Sequence, residues 1–241
     1  MSGATKNATF VLVHGAWSGG WGFTPVADEM RRHGHRVFTP TMTGLGERTH
    51  LFSGAINLST HIEDICNVIR YERLDNIVLA GHSYGGMVVT GVADRMADRI
   101  SSLIYIDAFL PENGKSLFDY TSEATNPRLA DAGDKHAGFG MSPPAPFNLP
   151  GLSAEEKAEI EALRGPQPIA TCIEKIKLTG ATETIANRMY IWAANNPGGP
   201  FRQFYDKVRS EPGWKAVELN CGHGVQREMP NELIALLESM A

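Results

Sequence analysis

The residues with the clearest chemical pattern are a serine between two glycines, in the stretch Gly81-His82-Ser83-Tyr84-Gly85. The apolar residues 77–80 before it predict a buried strand, and the apolar residues after position 86 predict a helix. A Gly-x-Ser-x-Gly pattern at such a junction is typical of a nucleophile elbow, a sharp turn that exposes the serine hydroxyl. Glycines suit the flanking positions because a Cβ atom there would strike the neighbouring strand or helix. The alternative is a glycine-rich turn in which the serine has no role.

A serine hydroxyl becomes a good nucleophile only when a base accepts its proton. Among the eight histidines, His223 lies in the loop 220–224, after the last predicted strand and before the last helix. A chain order of nucleophile, acid and histidine places the base in that loop. A surface histidine without a role is the alternative. His14 and His82 also adjoin strand ends, but we expect them to pack behind the site, and we expect the remaining histidines to be solvated.

A carboxylate must orient the base and stabilise its charged form. Its usual position is the loop after the strand 187–193, but that loop contains no acid before Asp206. Asp107 ends the strand that follows the elbow strand and would arrive beside the serine, so it is the favoured candidate. Asp206, an asparagine substitute at Asn195 or Asn196, and a dyad without any acid are the alternatives.

Acyl transfer also needs N–H donors aimed at the oxygen that becomes negative in the transition state. The backbone N–H of Tyr84, the residue after the serine, is the first candidate donor. The second is expected from the loop after the first strand, where His14 and Gly15 precede Ala16. Glycine at position 15 would let this backbone approach a substrate. A simple tight turn is the alternative for this loop.

Length, composition and charge limit the class of protein. A chain of 241 residues with 42% hydrophobic residues suits one large α/β domain. The net charge of −5 and the pI near 5.9 argue against nucleic acid or an anionic membrane as partner. Three widely separated cysteines argue against a disulfide framework and against a metal site. The chain starts without an apolar leader and has no run of membrane-spanning length, so we expect a cytoplasmic protein.

The elements that must position these residues alternate between strand and helix. The predicted strands cover residues 9–13, 36–39, 77–80, 102–106, 187–193 and 215–219. The predicted helices cover about 25–33, 59–71 with Ser59 as N-cap, 86–98, 153–163 with a capping box at Ser153 and Glu156, 201–208 and 230–240. This alternation predicts an α/β fold with a mostly parallel sheet of about six strands and helices on both faces. Five of the candidate residues follow strand ends, where ligands bind in such sheets: His14, Ser83, Asp107, Asn195 and His223.

The segment of about 108–184 interrupts this alternation and is rich in glycine and proline. We predict that it is a small helical cap insertion within a single domain that covers residues 1–241. Apolar side chains in the cap, together with Trp17 and Trp192, predict a pocket for an aromatic or apolar acyl group on a small alcohol. The alternative is that most of these side chains only pack the cap onto the core. The cap residues concerned are Phe109, Leu110, Phe118, Tyr120, Phe139, Met141, Pro144 and Phe147.

Taken together, these motifs resemble the α/β-hydrolase superfamily, and most closely its hydroxynitrile-lyase and plant-methylesterase branch with the related bacterial salicylate esterases and carbamate hydrolases. The resemblance rests on residues 10–17, Trp21, 81–86, 107–111 and 221–223. It implies a serine hydrolase without a cofactor, often a homodimer, with a small helical cap over an apolar pocket. The site roles that it implies are Ser83 as nucleophile, His223 as base, and Ala16 and Tyr84 as oxyanion donors.

Two departures from the lyases of that branch favour ester hydrolysis. The lyases have a threonine at the position of Gly15 and a lysine after the catalytic histidine, where this chain has Gly224. Without that lysine, no cation would stabilise a departing cyanide. We therefore predict a serine hydrolase that cleaves a small aromatic or apolar ester through an acyl-enzyme. The alternatives are a carbamate or amide hydrolase, a C–C lyase of the hydroxynitrile type, and a ligand-binding homologue without activity.

Overall fold

The structure is a computed structural model that describes residues 7–121, 136–144, 152–196 and 198–241. Six strands form one sheet in the order β2-β1-β3-β4-β7-β8, and every neighbouring pair is parallel. These strands are β1 (Thr9–Val13), β2 (Arg36–Phe38), β3 (Ile77–His82), β4 (Ile100–Ile106), β7 (Asn187–Ala193) and β8 (Trp214–Leu219). A two-stranded antiparallel ribbon consists of β5 (Gly140–Met141) and β6 (Gln167–Pro168). The predicted parallel sheet is confirmed.

Helices cover both faces of the sheet, as predicted. In chain order they are α1 (Thr24–Arg32), α2 (Leu58–Tyr71), α3 (Gly85–Arg95), α4 (Ala154–Ala162), α5 (Ala170–Ile173), α6 (Arg202–Val208), α7 (Val225–Glu228) and α8 (Pro230–Glu238). Side chains of β1 alternate between two apolar cores: Val11 and Val13 pack with α2 and α3, whereas Phe10 and Leu12 pack with α1 and α8. This alternation follows from the two-residue period of a strand. A sheet buried on both faces gives the strand ends a rigid base.

Helix α2 starts differently from the prediction. Its N-cap is Asn57, whose Oδ1 accepts the Thr60 N–H at 2.9 Å, while Thr60 Oγ1 accepts the Asn57 N–H at 3.3 Å. Ser59, the predicted N-cap, instead donates its N–H and its hydroxyl to the carboxylate of Glu174 at 2.8 and 2.5 Å. Because Ser59 binds the Glu174 carboxylate, it does not cap the helix, and the side chain of Asn57 caps it instead.

The chain between β4 and β7 contributes no strand to the main sheet in its described part. It contains the β5–β6 ribbon, the helices α4 and α5, and short 3₁₀ turns at Leu117–Tyr120 and Ala181–Thr184. The predicted capping box of α4 is confirmed, since Ser153 Oγ accepts the Glu156 N–H and the Glu156 carboxylate accepts the Ser153 N–H. The single domain with an insertion at about 108–184 stays a prediction. Phe147 lies outside the described residues.

The described part of the chain has neither a membrane-spanning helix nor a cluster of metal-binding side chains. Among the described helices, none combines the length and the apolar character that crossing a bilayer requires. Nowhere in the described ranges do three or more His, Cys, Asp or Glu side chains gather as they would around a metal ion. All three cysteines are buried as free thiols, and burial raises the pKa of Cys66 to about 11.

Helix α3 packs closely against the chain after β4 at Gly86. A Cβ atom at Gly86 would lie 2.0 Å from the Phe109 carbonyl oxygen, which is backbone and cannot rotate away. We expect Gly86→Ala to lower the free energy of unfolding by about 3 kcal/mol or more, measured by urea denaturation. The control is Gly165→Ala, because a Cβ atom there meets no described atom within 4 Å. Equal unfolding midpoints for the two variants would contradict this packing.

Candidate active site

Ser83 lies on a strained turn between β3 and α3. Its φ angle is 55°, in the left-handed region that non-glycine residues rarely adopt. The backbone is held there by three hydrogen bonds: the Ser83 N–H donates to the Ile106 carbonyl at 3.2 Å, and the Ser83 carbonyl accepts the N–H groups of Gly86 and Phe109 at 3.0 and 3.1 Å. Strain of this kind persists only where the surroundings fix it, and it is common at functional sites.

The glycines of the elbow are required by close backbone contacts, as predicted. A Cβ atom at Gly81 would lie 2.6 Å from the Gly85 carbonyl oxygen, and one at Gly85 would lie 2.6 Å from the Val13 carbonyl oxygen. The loop after β1 approaches equally closely, since a Cβ atom at Gly15 would lie 2.9 Å from Ser83 Cβ. The first strand, its loop and the elbow therefore form one tightly packed unit.

Asp107 directly follows β4, is fully buried and also has a positive φ of 41°. Its Oδ2 accepts the His223 Nδ1–H at 2.7 Å and a hydrogen bond from the Asn196 amide at 2.9 Å. Its Oδ1 accepts the Ala193 N–H at 3.2 Å. Three donors from two other strand ends thus satisfy this buried carboxylate, which removes the penalty for an unpaired buried charge.

The alternatives for the acid lie elsewhere or act differently. Asp206 is on α6 and pairs with Arg202 at 2.7 Å and with Arg209 at 3.4 Å. Asn196 donates to Asp107 instead of replacing it. Asn195 uses its backbone N–H to bond the Cys221 carbonyl at 3.0 Å. The structure therefore places Asp107, rather than any of these residues, against His223.

Two ring contacts and a hydrogen bond hold the imidazole of His223 in place. It stacks on Phe201 with ring centroids 5.0 Å apart and planes 7° apart, and His82 lies against it with centroids 4.6 Å apart. His82 Nε2–H also donates to the His223 carbonyl at 2.8 Å, which holds the loop. Because Nδ1–H of His223 is bound to Asp107, the proton-accepting nitrogen is Nε2.

Ser83 and His223 line the same cavity, which has a volume of about 560 Å³. Ala16, Tyr84, Trp17 and Phe109 from the predicted site also line it. Its walls are largely apolar, and no Asp or Glu is found among the described lining residues. Further apolar lining residues are Trp21, Leu117, Phe118, Tyr120, Met141, Pro144, Ile160 and Phe201. Volume and lining are typical of a site for a small organic molecule.

Three residues predicted to line the pocket do not line this cavity. Trp192 lies within β7, where its ring stacks on Tyr205 at 5.1 Å and carries the Arg202 guanidinium at 4.7 Å. Its side chain packs against α6, so nothing in the cavity supports the expectation that Trp192 binds substrate, which stays a prediction. Leu110 packs on the core, and Phe139 is 52% exposed.

The buried histidines behind the site are neutral. His14 donates Nδ1–H to the Gly15 carbonyl at 2.8 Å and accepts the Met42 N–H at Nε2. Burial lowers the pKa of His14 to about 4 and that of His82 to about 3. Both therefore support the site without a charge. His14 does not line the cavity, in agreement with the expectation that it packs behind the site, whereas His82 is one of the lining residues.

His61 and His35 contradict the expectation that the other histidines are solvated. His61 is fully buried on α2, where Nε2–H donates to the Thr43 carbonyl and Nδ1 accepts the Tyr84 hydroxyl, both at 2.9 Å. Burial lowers the pKa of His61 to about 4. The helical spacing of His61 from the apolar residues of α2 could have identified it as inward-facing. His35 accepts the Ala8 N–H at 3.2 Å and is also buried.

Known proteins resemble this chain along almost its whole length. The sequence profile of the Alpha/beta hydrolase family matches residues 10–236. A "Carbendazim hydrolyzing esterase" of Nocardioides sp. (strain SG-4G) is 43% identical, over 97% of this chain and 99% of the relative. The chain belongs to the Alpha/beta hydrolase family. "Putative methylesterase 11, chloroplastic" of Arabidopsis thaliana is 24% identical over 96% of the chain, which spans 63% of that relative's length.

Solved structures agree at the level of the fold. An extracellular alpha/beta-hydrolase from a Paenibacillus species matches with a TM-score of 0.83 and 23% identity, over 97% of this chain and 99% of that one. The pyrethroid hydrolase PytH matches with a TM-score of 0.77 and 20% identity, over 97% of each chain. The predicted family and fold are confirmed, and so is the prediction of a hydrolase of the esterase kind.

Three of the buried histidines, His14, His61 and His82, determine how stability should depend on pH. Their folded pKa values of about 3 to 4 lie below the ordinary value of 6.5, so the unfolded chain binds protons that the folded chain rejects. The free energy of unfolding should therefore fall as the pH drops from about 6.5 towards 4, with up to ~1.4 kcal/mol per pH unit for each histidine. Urea denaturation at several pH values measures this slope. His61→Gln should reduce the slope, whereas the exposed His50→Gln should not; equal slopes would contradict the assignment.

Proposed function

We propose that this chain is a serine esterase that cleaves small esters with an aromatic or apolar acyl group through an acyl-enzyme. The observation that carries the proposal is the 2.7 Å hydrogen bond between His223 Nδ1 and Asp107 Oδ2, at a cavity that His223 shares with Ser83. A nucleophile, a base and an orienting carboxylate are the groups that this chemistry requires. No cofactor takes part in the proposed reaction.

In the proposed mechanism, Ser83 Oγ attacks the ester carbonyl carbon while its proton passes to His223 Nε2. The backbone N–H groups of Ala16 and Tyr84 stabilise the oxyanion of the tetrahedral intermediate. Asp107 stabilises the positive imidazolium, which then protonates the departing alcohol. A water molecule, deprotonated by the same imidazole, hydrolyses the acyl-enzyme, releases the carboxylic acid and restores the serine hydroxyl.

The properties of the cavity support the substrate class. Apolar side chains such as Phe109, Phe118 and Met141 suit an aromatic or aliphatic acyl group. A volume of about 560 Å³ exceeds that of a small methyl ester and leaves space for a bicyclic group. The names of the methylesterase relatives support a methyl ester as the bond that is cleaved.

Hydrolysis of a methyl carbamate is the second candidate function. A relative that is 43% identical over almost its whole length is named for hydrolysing carbendazim, which is a methyl carbamate of an aromatic heterocycle. A carbamate carbonyl reacts through the same tetrahedral intermediate, so the same serine, base and oxyanion donors would serve. Nitrogen donation makes this carbonyl less electrophilic, and we therefore expect esters to react faster.

A non-catalytic binding protein and a hydroxynitrile lyase have less support as functions of this chain. The absence of an acid after β7 would favour a non-catalytic binding protein. Asp107, which follows β4, bonds His223 and so supports a catalytic role. A hydroxynitrile lyase would need a cation near the departing cyanide, where this chain has Gly224. A threonine at position 15 would also press against Ser83, since even a Cβ atom there lies at 2.9 Å.

The identity of the acid can be tested with two matched substitutions. We expect Asp107→Asn to reduce kcat for p-nitrophenyl acetate by about 10³- to 10⁴-fold, because the histidine would lose its orienting charge. Asp206→Asn also replaces an acid, but one that pairs with Arg202 on α6, and it should change kcat by less than about twofold. A collapse of the rate in Asp206→Asn alone would show that the proposed acid is wrong.

The substrate class can be tested by comparing methyl benzoate with carbendazim. We expect the kcat/KM value for the ester to exceed that for the carbamate by at least about tenfold, because its carbonyl is more electrophilic. Ser83→Ala should abolish both activities, since one nucleophile serves both. Faster turnover of carbendazim would favour the second candidate, and release of cyanide from mandelonitrile would favour the lyase.

A further inference from the structure

Trp17, which follows the proposed oxyanion donor Ala16, is held by the insertion in an unfavourable conformation. Its φ angle is 59°, in the left-handed region. Its backbone N–H donates to Gln167 Oε1 at 3.2 Å, and its indole Nε1–H donates to the Met141 carbonyl at 3.0 Å. Both acceptors lie more than 120 residues away in the sequence. The insertion thus binds the loop after β1 through both N–H groups of one residue.

The two acceptors form a single structural unit. Met141 and Gln167 are directly paired in the antiparallel β5–β6 ribbon. Gln167 is fully buried and Met141 is 2% exposed. A fully buried amide side chain that accepts from a main-chain N–H is a rigid contact, because leaving either group unpaired would be costly.

The same unit also reaches the second proposed oxyanion residue. Gln167 Nε2–H donates to Thr171 Oγ1 at 2.7 Å, and the Thr171 hydroxyl donates to the Pro168 carbonyl at 2.6 Å. The Thr171 hydroxyl also lies near the hydroxyl of Tyr84, although its own proton is donated to the Pro168 carbonyl. Tyr84 in turn donates to His61, which is anchored on the Thr43 carbonyl. We call Met141, Gln167 and Thr171 the cap clamp.

We propose that the cap clamp sets the spacing of the two oxyanion N–H groups, with Gln167 as the positioning residue. The proposal rests on the proposed function, because it assigns Ala16 and Tyr84 as the donors. Gln167 bonds the backbone one residue beyond Ala16, and it also holds Thr171, which lies near the side chain of Tyr84. Neither contact involves the substrate, and Gln167 does not line the cavity, so Gln167 acts through the donors and not by binding.

The physical reason is the strained backbone at Trp17. A non-glycine residue keeps a left-handed conformation only when its surroundings enforce it. Without the Gln167 acceptor, the loop would relax towards an ordinary conformation and carry the Ala16 N–H with it. A displacement of about 1 Å can reduce a rate by about 100-fold when it affects groups that act in the transition state. The substrate itself would still enter the same apolar cavity.

The test compares Gln167→Leu with Ser142→Ala in the full chain. Gln167→Leu removes both hydrogen bonds of the amide at similar volume. Ser142→Ala also removes a polar contact of the insertion, the one to His136 Nε2 at 3.0 Å, but it does not touch the oxyanion residues. For p-nitrophenyl acetate we expect Gln167→Leu to lower kcat by about 10- to 100-fold with KM changed by less than about threefold. Ser142→Ala should keep kcat within about twofold.

A second readout separates positioning from a general loss of structure. Phenylboronic acid forms a tetrahedral adduct with a reactive serine, and its oxygen atoms resemble the oxyanion. Its inhibition constant should rise in Gln167→Leu by the same factor as kcat/KM falls. Thr171→Val, which keeps the side-chain shape but loses the hydroxyl, should shift both values in the same direction by a smaller factor. If Gln167→Leu does not fold, as judged by circular dichroism, Thr171→Val alone decides.

The outcomes distinguish this proposal from the proposed function. An active wild-type enzyme in which the folded clamp variants behave like Ser142→Ala would overturn the clamp alone. A fall in kcat without a matching loss of boronic acid affinity would also overturn it. A wild-type protein that does not turn over the ester would overturn the proposed function, and the role of the clamp with it.

Discussion

The hydrogen bond between Asp107 and His223 joins residues that are 116 positions apart in the sequence, and the proposed chemistry depends on it. It is short because β4, β7 and β8 are neighbours in one parallel sheet, so their carboxyl ends meet at one edge. The strand between them contributes as well, since Ala193 and Asn196 donate to the same carboxylate. A change of register in this sheet would remove the acid, its supporting donors and the base together.

Backbone strain is concentrated around the cavity. Ser83, Asp107 and Trp17 are three of the six non-glycine residues with positive φ in the described chain. Each such residue costs about 1–3 kcal/mol of stability. The cost is offset by a sheet whose two faces are both buried, and by local hydrogen bonds that fix each strained residue.

Much of the fold could be predicted because its signals are local. The sequence pattern of β7 predicts a strand at Asn187–Ala193 with the observed bounds, and the glycine pattern around Ser83 predicts the turn after β3. Asp107 was harder to assign because proximity to His223 is a property of the sheet order and not of spacing. The contact of Gln167 with Trp17 could not be predicted, because Gln167 lies in a segment without periodicity and the two residues are 150 positions apart. The packing of the Trp192 ring on Tyr205 could not be predicted, because strand geometry alone does not show which neighbour a ring packs against.

The central claim is that Ser83 is a nucleophile activated by a base that Asp107 holds in place. The most direct measurement is the reaction of the protein with a fluorophosphonate, followed by intact-mass analysis and peptide mapping. We expect one adduct for each chain, located on Ser83. The labelling rate should fall by orders of magnitude in His223→Ala. No adduct, an adduct on another residue, or an equal labelling rate in His223→Ala would contradict it.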